Sequence, residues 1–190
     1  MEDGGGMFAS KSSSIVQTET RFTGCKSLRG SGGAVSVSDS MFHADRFQAE
    51  KSEAYHGGCV FSNKGRVYLN SANFSACKAQ YSYGGGILSI RGSLLRANQL
   101  RVYESAASQY GGGVFCSDSA CTFINSELTA NTAMSGGAAL CAVDATQLFL
   151  HNVLINSNVV SSHTGRGAGI YIPPKNSIMI ENFIQNINVQ

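Results

Sequence analysis

The chain carries few residues of the kinds that do chemistry, and their spacing is loose. The six cysteines stand at Cys25, Cys59, Cys77, Cys116, Cys121 and Cys141. None forms a Cys-x-x-Cys pair, and Cys116-x4-Cys121 has no second pair at zinc spacing. The four histidines, at 43, 56, 151 and 163, share no common phase. The one compact polar group is His43-Ala44-Asp45-Arg46, which could serve as an acid–base cluster or as a solvated turn. No metal or cofactor is called for by any of these spacings. Asn73-Phe74-Ser75 has the form of a glycosylation sequon.

The elements that must position these residues show in the composition. Among 190 residues there are 22 Gly and 26 Ser but only 14% charged side chains, too few for the solvent faces of a helical bundle. A hydrophobic content of 43% is too high for a disordered Gly/Ser tract, and two prolines exclude collagen. Twelve of the fourteen Lys/Arg and eight of the twelve Asp/Glu precede residue 105, with both signs interleaved. That pattern gives no basic stripe for nucleic acid, so no nucleic-acid partner is expected. No apolar run reaches transmembrane length, and Met1-Glu2-Asp3-Gly4-Gly5-Gly6 does not read as a signal peptide.

A glycine mark recurs along the chain, at Gly5-Gly6, Gly32-Gly33, Gly57-Gly58, Gly85-Gly86, Gly112-Gly113 and Gly136-Gly137, each followed by apolar residues, with a weaker mark at Ala168-Gly169. The period is about 27 residues, in the range of solenoid repeats. Between marks runs a frame of alternating apolar residues, clearest in Cys121-x-Phe123-x-Asn125-x-x-Leu128-x-x-Asn131 and Leu148-x-Leu150-x-Asn152-x-x-Ile155-x-x-Asn158. Period-2 runs separated by turn residues predict short strands. A unit of this length cannot close its own core, whereas stacked copies can. The predicted fold is all-β: a single-stranded right-handed parallel β-helix, a pectin-lyase-like solenoid of about seven coils.

Residues 1–190 then form one repeat domain. Entry on a glycine corner and an end at Ile187-Asn188-Val189-Gln190 without a capping helix read as a fragment of a longer rod. The apolar column is predicted to be Phe22, Phe47, Phe74, Leu100, Leu128 and Ile155, failing at Gln185, and an amide ladder is predicted at Asn131, Asn158 and Asn188 after Cys25, Glu50, Cys77 and Tyr103. Residues 44–55 and 97–108 also read as short amphipathic helices, and 160–167 as an enlarged loop. Cys25 and Cys77, two coils apart, lie too far to bridge; Cys116 and Cys141, on adjacent coils at nearly equal phase, are the expected disulfide, the other cysteines being small buried hydrophobes. Tyr55, Tyr83 and Tyr110 each precede a second glycine by three residues, with Met134 following. They are expected to stack, either as a stiffening ladder or as a binding platform for sugar rings or a partner.

The Gly-Gly-Ala-Val at 32–35 and its relatives, with the tetrads Phe22-Thr23-Gly24-Cys25 and Phe74-Ser75-Ala76-Cys77, resemble the repeats of the chlamydial polymorphic outer-membrane proteins. In that family a GGA-[ILV] motif alternates with FxxN along a β-helical autotransporter passenger. The resemblance implies a non-enzymatic segment of a surface-exposed, outer-membrane or secreted protein, an adhesin or extended interaction scaffold whose partner is a host-cell or matrix protein or a glycan. The early tetrads end in Cys or Glu rather than Asn, the late ones have Leu or Ile in place of Phe, and no barrel lies within the chain. The alternative on this fold is a polysaccharide lyase or hydrolase. Its Gly-His-Gly and Arg-Ile-Lys motifs are absent, and Asp39 and Asp118 fall three coils apart.

Overall fold

The computed structural model describes residues 4–174, 176–181 and 184–186. Four short strands make the first turn: β1 (Met7–Ala9), β2 (Ser14–Thr18), β3 (Arg21–Thr23) and β4 (Lys26–Ser31). Every later turn repeats these positions, and each strand pairs in parallel with its counterparts above and below. The β1 position builds sheet A, seven strands ending in Ile170–Tyr171; the β4 position builds sheet C, six strands ending in Val159–Val160. The β2 and β3 positions build two ladders. These merge into one sheet B where Ala120–Thr129 and Gln147–Asn156 run through both. The result is a parallel β-helix of six full turns. A seventh is opened by Ile170–Tyr171 and continued by Ser177–Glu181 and Ile184–Asn186. Strands also occupy both stretches that read as helices, as Gln48–Glu50 with Glu53–His56 and Arg101–Tyr103 with Ala106–Ala107. Beyond Val160 the chain makes the expected turn, closed by Gly165 N–H donating to the Ser162 carbonyl at 3.0 Å.

Each corner is turned on a residue in the left-handed region. Between the β2 and β3 positions these are Glu19, Arg46, Ser71, Gln99, Asn125 and Asn152, with φ from 49° to 55°. A side chain there costs about 1 kcal/mol or more. The backbone N–H compensates by donating to the next coil, as Arg46 does to the Asn70 carbonyl at 2.9 Å. The corner from β4 into the next turn is always glycine: Gly32, Gly57, Gly84, Gly111, Gly137 and Gly167. There neighbouring backbones touch, and a Cβ on the following Gly58 would run into the Gly85 carbonyl.

The apolar column departs from the sequence reading. Phe22, Ala49, Phe74, Val102, Leu128, Ile155 and Gln185 are in register, so Phe47 and Leu100 do not belong to it. Positions two apart on a strand face the same side, and both face the core here. Phe47 lies two residues before Ala49, and its ring packs at 5.7 Å from Phe22 and 5.8 Å from Phe74. A large residue in one column thus fills the space left by a small one in the next.

The amide ladder is real but its column holds different residues: Cys25, Ser52, Cys77, Ser105, Asn131 and Asn158 each follow the left-handed residue after the β3 position. Glu50 and Tyr103 instead pair with Ser75 inside the strands, and Asn188 lies outside the described residues. Asn131, fully buried, donates through Nδ2 to the Val102 carbonyl at 3.0 Å and accepts from Ser105 N–H at 3.0 Å, and the Asn131 backbone N–H donates to Asn158 Oδ1 at 2.9 Å. The Phe47–Phe74 interlock makes Phe74→Ala a costly cavity, with an expected loss of about 3–5 kcal/mol in urea unfolding. A loss below about 1 kcal/mol would mean the core collapses around it.

Candidate binding groove

Strand alternation sends every second residue of sheet A outward. Ser36, Phe61, Leu88, Phe115, Cys141 and Tyr171 form one outward column in register. Leu88, Phe115 and Cys141 are 2%, 6% and 0% exposed, covered by the side chains packed around them. They form a second apolar cluster, separate from the interior core, walled by Tyr83 and Tyr110 on one side and Ile90 and Val143 on the other, with Tyr171 closing the floor column. The groove so formed encloses about 720 Å³ and spans from Ser38 to Pro173. Polar groups interrupt its walls: Asn63 lines it with a buried Oδ1 that has no hydrogen-bond partner, Arg91 and Asp144 stand at its margin, and Asp144 Oδ2 accepts from Ser117 Oγ at 2.8 Å.

The three tyrosines separate. Tyr83 stacks on Tyr110 at 6.1 Å and on Phe115 at 4.6 Å, and Tyr110 stacks on Tyr171 at 5.9 Å. Tyr55 lies off the groove and stacks on Tyr81 at 5.0 Å. The cause is a one-residue offset in the glycine marks. The left-handed Gly84 and Gly111 are equivalent to Gly57, so Tyr83 and Tyr110 align with His56. A slip of one residue moves a side chain to the other face. Met134 is likewise not part of the groove. Because the rings of Tyr83, Tyr110 and Tyr171 turn their faces to one another, their edges and hydroxyls are what the groove presents.

The cysteines also pair differently. Cys59 bonds Cys77 with a Cα–Cα distance of 5.4 Å, and Cys116 bonds Cys121 at 6.9 Å; Cys25 and Cys141 are free. The expected Cys116–Cys141 bridge fails because nearly equal phase is a one-residue difference. Cys116 is in register with Ala142, and Cys141 with Phe115, so Cys116 faces the core while Cys141 faces the groove. Burial, with a smaller contribution from Asp144, pushes the Cys141 thiol up to about 12.

The compact polar group is the end of a strand, Met41–Asp45, with Ala44 buried in the core and Arg46 at the left-handed corner: Asp45 accepts from Asn70 at 2.6 Å and pairs with Arg46, which also meets Glu19 at 2.7 Å. His43 stacks on Tyr68. Asp39 and Asp118 occupy equivalent exposed corners. No group of three His, Cys, Asp or Glu able to hold a metal occurs among the described residues. A feature the sequence reading missed is an exposed amide ladder on sheet B, in which Asn98, Asn125 and Asn152 donate in turn to Asn70, Asn98 and Asn125. Beside it a second, polar groove of about 610 Å³ holds Asn73, Arg101 and Glu127, with Arg101 Nε 3.6 Å from Glu127 Oε2. Asn125 and Asn152 stand at the left-handed corner while Asn70 and Asn98 end the strands one residue before it, an offset that the repeat frame does not show.

Peptide mapping without reduction should recover Cys59 linked to Cys77 and Cys116 to Cys121; a Cys116–Cys141 peptide would contradict the register. Iodoacetamide at pH 8 should label the half-buried Cys25 and leave Cys141 unmodified until the chain is unfolded. Since the folded thiol keeps its proton up to about 12 against an ordinary value of 9.0, its contribution to stability is complete below pH 9 and is lost as pH rises from 9 to 12.

No family model, curated protein or solved structure matches the chain.

Proposed function

We propose that the chain is a non-enzymatic segment of a surface-exposed or secreted repeat protein, serving as an extended interaction scaffold in the manner of the chlamydial polymorphic outer-membrane proteins it resembles. The observation that carries this reading is the groove on the outer face of sheet A, an apolar floor and apolar walls interrupted by Asn63, Arg91 and Asp144. Concave, mostly apolar sites with a few polar groups are where ligands and partners dock. Two disulfides support an oxidising compartment, which suits the cell surface or a secreted product. Host-cell or matrix proteins and glycans are the partner classes to be tested.

A second reading, a polysaccharide lyase or hydrolase, draws on the Arg101–Glu127 pair beside the unpartnered Oδ1 of Asn73 in the polar groove. Both charged side chains are well exposed, and Glu127 also accepts from Thr129 at 3.0 Å, so neither is desolvated in the way a tuned acid or base requires.

Beads carrying the chain are expected to attach to cultured epithelial cells or to matrix-coated surfaces. Ile90→Glu, at the groove wall, should reduce attachment several-fold, while Val16→Glu, on the exposed face of sheet B, should not. Equal attachment by both variants would remove the groove from the reading. Release of polysaccharide fragments that disappears in Glu127→Gln would replace it with the enzymatic one.

A further inference from the structure

We propose that the groove of sheet A is a track for a proline-rich segment in the polyproline II conformation, carrying an acidic and a basic residue three positions apart. This rests on the interaction-scaffold reading and names its partner class. The groove runs along the solenoid axis, from Ser38 on the second coil to Pro173 on the seventh, about 24 Å at the spacing of stacked strands. Its volume of about 720 Å³ over that length accommodates one extended chain and no folded element.

The chemistry of the walls selects among extended chains. A β-strand ligand requires an open sheet edge, but the groove lies on the face of sheet A, whose inner strands are paired on both sides. Sugar rings require free aromatic faces, and those of Tyr83, Tyr110 and Tyr171 are turned to one another. An acyl chain would desolvate Arg91 and Asp144 and offer neither of them an opposite charge. A polyproline II segment needs no ladder hydrogen bonds, docks in aromatic-lined grooves, and exposes its carbonyls to donors such as the tyrosine hydroxyls.

Periodicity and charge agree with that choice. Three residues of polyproline II advance about 9.3 Å, and two coils advance about 9.6 Å, so the ligand presents the same face at every second coil. Arg91 and Asp144 hold equivalent corners two coils apart, linked through Arg91 N–H to the Ser117 carbonyl and Asp118 N–H to the Val143 carbonyl. Asp118, on the coil between, does not line the groove. An acidic residue facing Arg91 places a basic residue three positions away opposite Asp144.

Fluorescence anisotropy with a labelled ten-residue peptide, Pro-Pro-Pro-Glu-Pro-Pro-Arg-Pro-Pro-Pro, tests this on the intact chain. Saturable binding is expected, with the same charges on a glycine background at least about tenfold weaker. Arg91→Glu should weaken the peptide about tenfold and strengthen one carrying Arg at both charged positions. Tyr110→Phe keeps the ring stack while removing the hydroxyl, and should weaken binding without changing thermal unfolding; Tyr55→Ala, off the groove, should leave binding unchanged. Equal binding of the glycine peptide, or no binding at about 1 mM, overturns the proposal. Binding of a β-linked hexasaccharide that is lost in Ile90→Glu, with no peptide binding, also overturns it while leaving the scaffold reading intact.

Discussion

Backbone hydrogen bonds between successive coils constrain everything else in this molecule. Each turn lends its N–H and C=O groups to the turns on either side at strand spacing, around the corners as well as along the strands. A residue at a corner therefore has to adopt the conformation of its neighbours above and below, whatever its own preference. That is how Arg46, Gln99 and Glu104 come to occupy left-handed backbone, and why only the corner with touching carbonyls demands glycine at every turn.

Fixed spacing on the outside makes the interior a filling problem. The coils cannot move apart to admit a large side chain, so volume is shared between adjacent inward columns, as Phe47 and Ala49 are followed by Ala72 and Phe74. A similar exchange operates between the glycine corner and the corner after the β3 position. Cys59 bonds Cys77 across the third coil; two coils on, Gly113 leaves the space that the buried Asn131 amide occupies, and a Cβ there would lie 3.1 Å from Asn131 Nδ2. A disulfide and an amide ladder are two ways of tying the same corner.

How much was legible in the sequence follows from these constraints. The period, the parallel stacking and the all-β class were readable because glycine at a touching corner cannot be replaced. Phase within a coil was not, because Gly84-Gly85-Gly86 and Gly111-Gly112-Gly113 each contain two overlapping pairs, and choosing the wrong pair shifts the register by one. That single offset misplaced Tyr55; Cys116 and Cys141, nearly equal in phase, differ by the one residue that sends them to opposite faces; and a shift of two residues, invisible to alternation, put Phe47 and Leu100 in the wrong column. The groove itself was hidden because Phe61, Leu88 and Phe115 alternate with core residues on strands that read as buried on both faces.

Outward columns are thus set by register alone, and the groove exists only if that register holds across the whole stack. Val16 and Phe149, both on the outer face of sheet B, belong to one column through His43, Tyr68, Arg96 and Thr122. Spin labels at these two positions, measured by double electron–electron resonance, give the most direct test. Five strand spacings place their backbones about 24 Å apart, and a single narrow distribution near that value is predicted. A broad distribution, or a distance beyond about 40 Å, would contradict the stacked coils and the groove built on them.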